Sequence, residues 1–166
     1  MLVVPKIEYA SIIWCPFDKG HIDMIEGIQR RYTSCFFEYQ KWDEVQKRYI
    51  CEVNYWERLR DLKIYSLERR RERFMILCVY RVLIGLMAYE GFEVYVERGI
   101  KVKAKYNRQA PRKIRSIRHS SLFYKGPQLF NLLPSELRQF EEIENPEQHH
   151  VNGFKEHLDK FRLFLN

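Results

Sequence analysis

Glycine and proline are scarce in this chain of 166 residues, seven and six respectively, which argues against an all-β protein built on many tight turns. Leu, Ile, Arg, Glu and Lys recur at helical spacing instead, so helix should prevail. The four cysteines, Cys15, Cys35, Cys51 and Cys78, stand 20, 16 and 27 positions apart. No two are close enough for a zinc knuckle or a redox pair, and they read as reduced thiols of an intracellular, cytoplasmic or nuclear, protein. The longest apolar run is the stretch from Phe74 to Tyr80, far short of the roughly 20 residues that cross a bilayer. Met1-Leu2-Val3-Val4 runs straight into Pro5, Lys6 and Glu8, which is not the basic head and unbroken apolar stretch of a secretory signal.

Motifs that carry chemistry are missing as well. There is no Gly-rich phosphate loop, no Gly-x-Ser-x-Gly and no His-Glu-x-x-His. Asp18, Asp23, Asp43, Asp61 and Asp159 never adjoin one another, whereas a two-metal phosphoryl-transfer site needs clustered carboxylates. His149-His150 are neighbours on a presumed loop, and such pairs seldom share a metal that wants three or four ligands. No catalytic residue, metal ligand or cofactor is therefore expected within the chain itself.

What is present is a core-forming fraction, 46 % hydrophobic, and a net charge of +7. The charge is concentrated. Residues 1–54 carry seven cations against eight acids, 55–98 nine against seven, and 126–166 four against seven. Residues 99–125 carry nine cations and no acid: Lys101, Lys103, Lys105, Arg108, Arg112, Lys113, Arg115, Arg118 and Lys125. A polyanion is the natural partner for such a stretch. Lys101, Lys103 and Lys105 alternate with Val102 and Ala104, so a strand would set all three ammonium groups on one face. Arg112, Lys113, Arg115 and Arg118 repeat the theme after Pro111, and Tyr106 adds a ring for stacking. These nine residues are the candidate nucleic-acid contacts, of the kind that grips backbone without reading sequence.

Along the chain, residues 2–14 read as a short helix that opens without a cap, as though the chain began inside a longer one. Pro16 and Asp18 mark a loop and the cap of a helix whose one face is Ile22, Ile25, Ile28 or Gln29, Tyr32 and Phe36. Glu26 and Arg30 form an i,i+4 pair on it, and Arg30 and Arg31 lie on its solvated side. The mixed stretch from Glu38 to Asn54 reads as helix. Tyr55 to Leu62 is a short helix, Lys63-Ile64-Tyr65 turns the chain, and Ser66 caps a longer one with Leu67, Phe74, Cys78, Val82 and Leu86 on its buried stripe. Arg69, Arg70, Arg71 and Arg73 on its first turns could meet phosphates or pair with Glu68 and Glu72. Gly85, Gly91 and Gly99 lead into the basic strand or hairpin. Phe123 to Leu133 is a short docked helix ended ahead of Pro134, with one more turn over Ser135 to Phe140. Glu141 to His150 is an acidic loop, and Asn152 caps a last helix with Phe154, Leu158, Phe161 and Leu165 on one face.

Four stretches, in this order, resemble the region after the palm in non-LTR (LINE-type, jockey/CR1-like) retrotransposon reverse transcriptases. They are Leu2-Val3-Val4-Pro5-Lys6-Ile7-Glu8-Tyr9-Ala10-Ser11 with Trp14, Pro16 and Asp23 through Glu26 to Gln29-Arg30-Arg31; Tyr55-Trp56-Glu57-Arg58-Leu59 through Ser66-Leu67-Glu68-Arg69-Arg70; Tyr124-Lys125-Gly126-Pro127 through Asn131-Leu132-Leu133-Pro134; and Phe154-Lys155 with Leu158-Asp159-Lys160-Phe161. Phe130 stands where the family has Trp. The resemblance spans essentially the whole chain. It implies the thumb and tail of an RNA-directed DNA polymerase, with Mg2+ and its aspartates belonging to a palm that none of these residues represents.

The expectation is thus a mainly α fold. A helical, thumb-like bundle over 1–90 is followed by a basic extended segment over 91–121 and a helical tail over 122–166. Its partners would be RNA or DNA backbone and the polymerase domain it adjoins, with no membrane and no small-molecule substrate. The alternative is a helical protein-interaction module, or a non-functional relic of a mobile element.

Overall fold

The computed structural model describes residues 16, 18–88, 93–97, 101–105, 122–138 and 145–160. Among these the fold is mainly α, with two small antiparallel hairpins. In chain order come α1 (Lys19–Ser34), a hairpin of β1 (Gln40–Asp43) and β2 (Arg48–Cys51), α2 (Tyr55–Asp61), α3 (Leu67–Leu83), a hairpin of β3 (Glu93–Glu97) and β4 (Lys101–Lys105), α4 (Leu122–Asn131) and α5 (Gln148–Lys160). Single 3-10 turns occupy Phe37–Tyr39 and Ser135–Arg138. The helix expected over 2–14, and Phe161 and Leu165 of the last one, lie outside the described residues. Two compact units divide at 70/71, inside α3.

In the unit of residues 18–70, α1 begins where expected: the Asp18 carboxylate accepts from the His21 N–H at 3.3 Å. Its inward face is not the apolar stripe. Glu26, Gln29 and Thr33 are buried, while Met24, Ile28, Tyr32 and Phe36 are exposed. The reason lies in what the polar residues meet. Glu26 accepts from the Tyr55 hydroxyl, from the Leu67 N–H at 3.1 Å and from the Glu68 N–H at 3.3 Å. Its carboxylate therefore takes up two of the orphan donors at the start of α3, where the helix dipole favours an anion. Ser66 Oγ accepts a third, from Arg69 N–H at 3.3 Å, as its capping role predicts. Gln29 donates from Nε2 to the Tyr65 carbonyl at 3.0 Å, holding the turn ahead of the helix. The expected Glu26–Arg30 pair is replaced by these bonds, and the Arg30 guanidinium lies 5.1 Å from the Tyr55 ring centre.

Arg58, on α2, is 4 % exposed. It donates to Thr33 Oγ1 and the Arg30 carbonyl, both at 3.3 Å, to Cys51 Sγ at 2.9 Å and to the Val53 carbonyl. A buried guanidinium is tolerated only with this number of acceptors. Burial first, then the hydrogen bond and charge of Glu26, pushes the Tyr55 hydroxyl far above its usual value. α2 starts on Asn54, whose side chain accepts from the Trp56 N–H, and it ends with Lys63 at φ 53°. There the Ile64 N–H reaches the Leu59 carbonyl at 3.0 Å and the Lys63 N–H the Arg60 carbonyl at 3.1 Å. This is the left-handed helix stop that usually takes glycine.

The helix expected from Glu38 to Asn54 is instead the β1–β2 hairpin. Asp43 Oδ1 accepts from the Val45 and Gln46 N–H groups at 2.8 and 3.2 Å, and Lys47 takes φ 51°. Such a turn returns the chain on itself. Trp42 sits opposite Tyr49 in register, their rings edge to face at 5.1 Å, a cross-strand pair of the sort that stabilises short ribbons.

The unit from residue 71 onward has a different interior. Met75, Ile76, Leu77, Cys78 and Val79 of α3, Leu122 and Phe130 of α4, Leu133, Leu137, and Val151, Phe154 and Leu158 of α5 are buried. The inward stripe of α3 is shifted from the expected one, with Phe74, Val82 and Leu86 only partly covered. Phe154 stacks on Tyr80 at 4.0 Å and lies 6.0 Å from Phe130, the residue in the family's Trp position. α3 stops at Gly85, φ 79°, with the Leu86 N–H bonded to the Arg81 carbonyl at 2.9 Å; glycine adopts that conformation without a Cβ penalty.

α4 docks against α3 at a point where a side chain would not fit: a Cβ on Gly126 would come within 2.8 Å of Val79 Cγ2. Gly126 also precedes Pro127, inside the helix, and without a Cβ it escapes much of the clash that drives other pre-proline residues out of helical conformation. α5 begins earlier than expected. Asn152 lies within it, and Glu147 is the cap: the His150 N–H donates to the Glu147 carbonyl, and the Glu147 N–H donates back to His150 Nδ1, both at 3.1 Å. His149 and His150 are thus helical rather than on a loop. Arg73 fastens α3 to α5 through two 2.7 Å bonds to Asp159.

Candidate nucleic-acid interface

Of the nine basic candidates, the structure describes four. Lys101, Lys103 and Lys105 form every second position of β4. β3 pairs with it in antiparallel register, Glu93 opposite Lys105, Val94 opposite Ala104, Tyr95 opposite Lys103, Val96 opposite Val102 and Glu97 opposite Lys101. Directly opposed residues share a face, so Lys101, Lys103 and Tyr95 occupy one side of the hairpin and Val94, Val96 and Val102 the other. Val102 on the apolar side is 3 % exposed. Lys101, Lys103 and Tyr95 are exposed.

The hairpin is fixed to α4 by Asn131, whose Oδ1 accepts from the Val102 N–H and whose Nδ2 donates to the Val102 carbonyl, both at 2.9 Å. A side-chain amide here does the work of a neighbouring strand, pairing the outer edge of β4. Lys125, on α4, lies 3.2 Å from the largely buried Glu72 carboxylate of α3; its charge is answered within the fold. Arg108, Arg112, Lys113, Arg115 and Arg118, together with Tyr106, lie outside the described residues.

The register adds two residues that counting along the chain places elsewhere. Glu93 and Glu97 belong to the nearly neutral stretch before the basic segment, yet pairing sets them opposite Lys105 and Lys101 in register. The signal was present: Glu-Val-Tyr-Val-Glu and Lys-Val-Lys-Ala-Lys are both period-two runs, spaced symmetrically about Gly99.

The arginines of the first turns of α3 divide between the two readings. Arg71 is buried and Arg73 is held by Asp159, so both belong to packing. Arg69 and Arg70 are half-buried. Arg30 and Arg31 on α1 are exposed, the former over Tyr55.

Within each unit, stretches quoted for the resemblance come together. Glu26 and Gln29 of the first join Tyr55, Arg58 and Leu67 of the second; Gly126 and Asn131 of the third anchor α4; Phe154, Leu158 and Asp159 of the fourth dock α5. Their shared property is structural. Among the described residues no helix is long and apolar enough to cross a membrane, and no three His, Cys, Asp or Glu side chains form a group that could hold a metal ion. No protein-family model, curated protein or solved structure matches the chain.

Proposed function

We propose that the chain is the thumb-and-tail segment of a non-LTR retrotransposon reverse transcriptase, non-catalytic by itself, which holds the backbone of template-primer RNA or DNA. The observation that carries this reading is the run from 99 to 125 with nine cations and no acid. Its support from the fold is indirect. Several of the described residues quoted for the resemblance, Glu26, Gln29, Arg58, Gly126, Asn131 and Asp159 among them, clamp or dock the helices, which is what a shared framework would require of them. The carboxylates among the described residues do not fit a Mg2+ site. In the proposed role the metal belongs to the adjoining palm, and the segment acts inside the cell, in cytoplasm or nucleus.

Binding of this kind is electrostatic and loses counterions. The dissociation constant for an RNA–DNA hybrid should rise steeply with salt, with a log-log slope of roughly −5 in affinity if six phosphates are contacted. Neutralising Lys101, Lys103, Lys105, Arg112, Lys113 and Arg115 together should flatten that slope; affinity indifferent to both salt and the six substitutions rejects the reading.

A second reading, a helical protein-interaction module, is favoured by the exposed row Met24, Ile28 and Tyr32 on α1, with Phe36 exposed just past its end. Salt-insensitive self-association in size-exclusion chromatography, without nucleic-acid binding, would select it.

A further inference from the structure

Glycine at position 27 is not called for by the fold around it. It lies in the interior of α1 without a positive φ, and a Cβ built on it would meet nothing within 4 Å. Glycine inside a helix is destabilising relative to alanine. Here, unlike at Gly85 or Gly126, no turn or neighbour among the described residues accounts for it. A residue without a side chain also lets something from outside the chain come close to the helix backbone.

The charges around Gly27 are arranged symmetrically about it. Asp23 and Arg31 lie four positions to either side, both exposed, and among the described residues neither side chain has a hydrogen bond or ion pair. Eight residues of helix separate them by about 12 Å, so they cannot pair within one α1. With Glu26, Gln29 and Thr33 turned inward, the helical period sets Met24, Gly27, Ile28 and Arg31 outward, and Asp23 and Tyr32 along the two flanks. Met24, Ile28 and Tyr32 thus form an exposed apolar row beside the glycine.

A second α1 laid antiparallel on the first, the two crossing at Gly27, brings Asp23 of each copy level with Arg31 of the other. A parallel pairing sets like charge beside like instead. We infer that α1 is a self-association surface whose occupant is a second copy of this chain, held in a two-fold antiparallel contact with Gly27 at the crossing. One patch serves both copies, as a two-fold contact requires. The apolar row supplies the hold, while the two Asp23–Arg31 pairs, being exposed, add little attraction and chiefly select the register. One helix against its like is a small interface, at the weak end of the usual range, so the dimer exchanges with monomer. The inference rests on the second reading above, to which it gives a partner, and is independent of nucleic-acid binding.

Sedimentation velocity of the full chain, at concentrations up to about 500 µM as a weak contact demands, should show monomer passing to dimer. Asp23→Arg and Arg31→Asp should each weaken the dimer by roughly ten-fold or more, because each sets like charges together at both ends. Mixed in equal amounts, the two variants should associate as the unaltered chain does, since every pair is then opposite in sign; this recovery also shows that both are folded. Gly27→Gln, too long for the crossing, should weaken association and leave the circular dichroism spectrum unchanged. Association that survives both charge variants, is undiminished in Gly27→Gln, or is lost in the charge variants and not recovered on mixing overturns this contact while the second reading stands. A chain that stays monomeric throughout overturns the inference and removes the self-association by which the second reading is selected. The nucleic-acid reading is decided by its salt dependence and by none of these outcomes.

Discussion

The two units bury opposite kinds of residue. Residues 18–70 are organised around Glu26, Tyr55, Arg58, Thr33 and Gln29, while the unit from 71 onward is organised around Phe130, Phe154, Tyr80 and a row of aliphatic side chains. The first gains specificity, since Glu26, Arg58 and the Gln29 amide nitrogen each meet particular partners that another docking would strand. The second gains stability chiefly from apolar area, and its described ion pairs, Arg73–Asp159 and Lys125–Glu72, fasten helices around that interior. With Glu26, Gln29 and Thr33 turned inward, α1 presents Met24, Ile28 and Tyr32 to the surface.

The contrast can be broken from either side. Phe130→Ala should cost about 3–5 kcal/mol, the usual price of an aromatic-sized cavity, read as a lower midpoint in urea unfolding with early loss of hydrogen-exchange protection in α4 and α5. Glu26→Ala should cost about 3 kcal/mol by leaving the Leu67 and Glu68 N–H groups and the Tyr55 hydroxyl without their acceptor, with exchange protection lost first at the start of α3. If Glu26→Ala is nearly neutral, the polar unit is held by its few buried apolar residues, Leu59 and Leu67 among them, and the contrast collapses.

The same network predicts an alkaline weakness. The folded chain holds the Tyr55 proton more tightly than an unfolded one, so the stability this contributes is intact below the ordinary tyrosine value of 10.0 and falls as pH climbs past it towards the raised folded value. Thermal unfolding followed above pH 10 should show a decline that Tyr55→Phe largely removes. Smallest in effect, Lys63→Gly should raise stability by about 1 kcal/mol, because Lys63 occupies a left-handed helix stop at a steric cost that glycine avoids. An unchanged or lower melting temperature would contradict that account.

Local chemistry was legible in the residues themselves. Asp18 and Ser66 cap as their side chains dictate, Gly85 ends its helix because it alone takes a positive φ cheaply, and alternating Lys and Val predicts β4. The β1–β2 hairpin was harder to read, since strands of four residues with interspersed charges fit loose helical spacing equally well. Apolar periodicity reached the buried face of α1 only at Gln29, the alternative it offered to Ile28. That search assumes oil faces inward, whereas Glu26 and Gln29 face inward because Tyr55, Tyr65, Leu67 and Glu68 wait for them some 30 to 40 positions later.

The candidate site shows the same division. Sequence by itself determined that positive charge is concentrated between 99 and 125, that Lys101, Lys103 and Lys105 share a face, and that helix predominates, because charge and periodicity are properties of neighbours along the chain. Only tertiary structure decided that Glu93 and Glu97 stand across from two of those lysines, that Lys125 is matched by Glu72, and that Asn131 pins the strand. Each of these depends on a partner brought in by folding, and Coulomb's law and hydrogen bonding act on distance in space rather than on position along the chain.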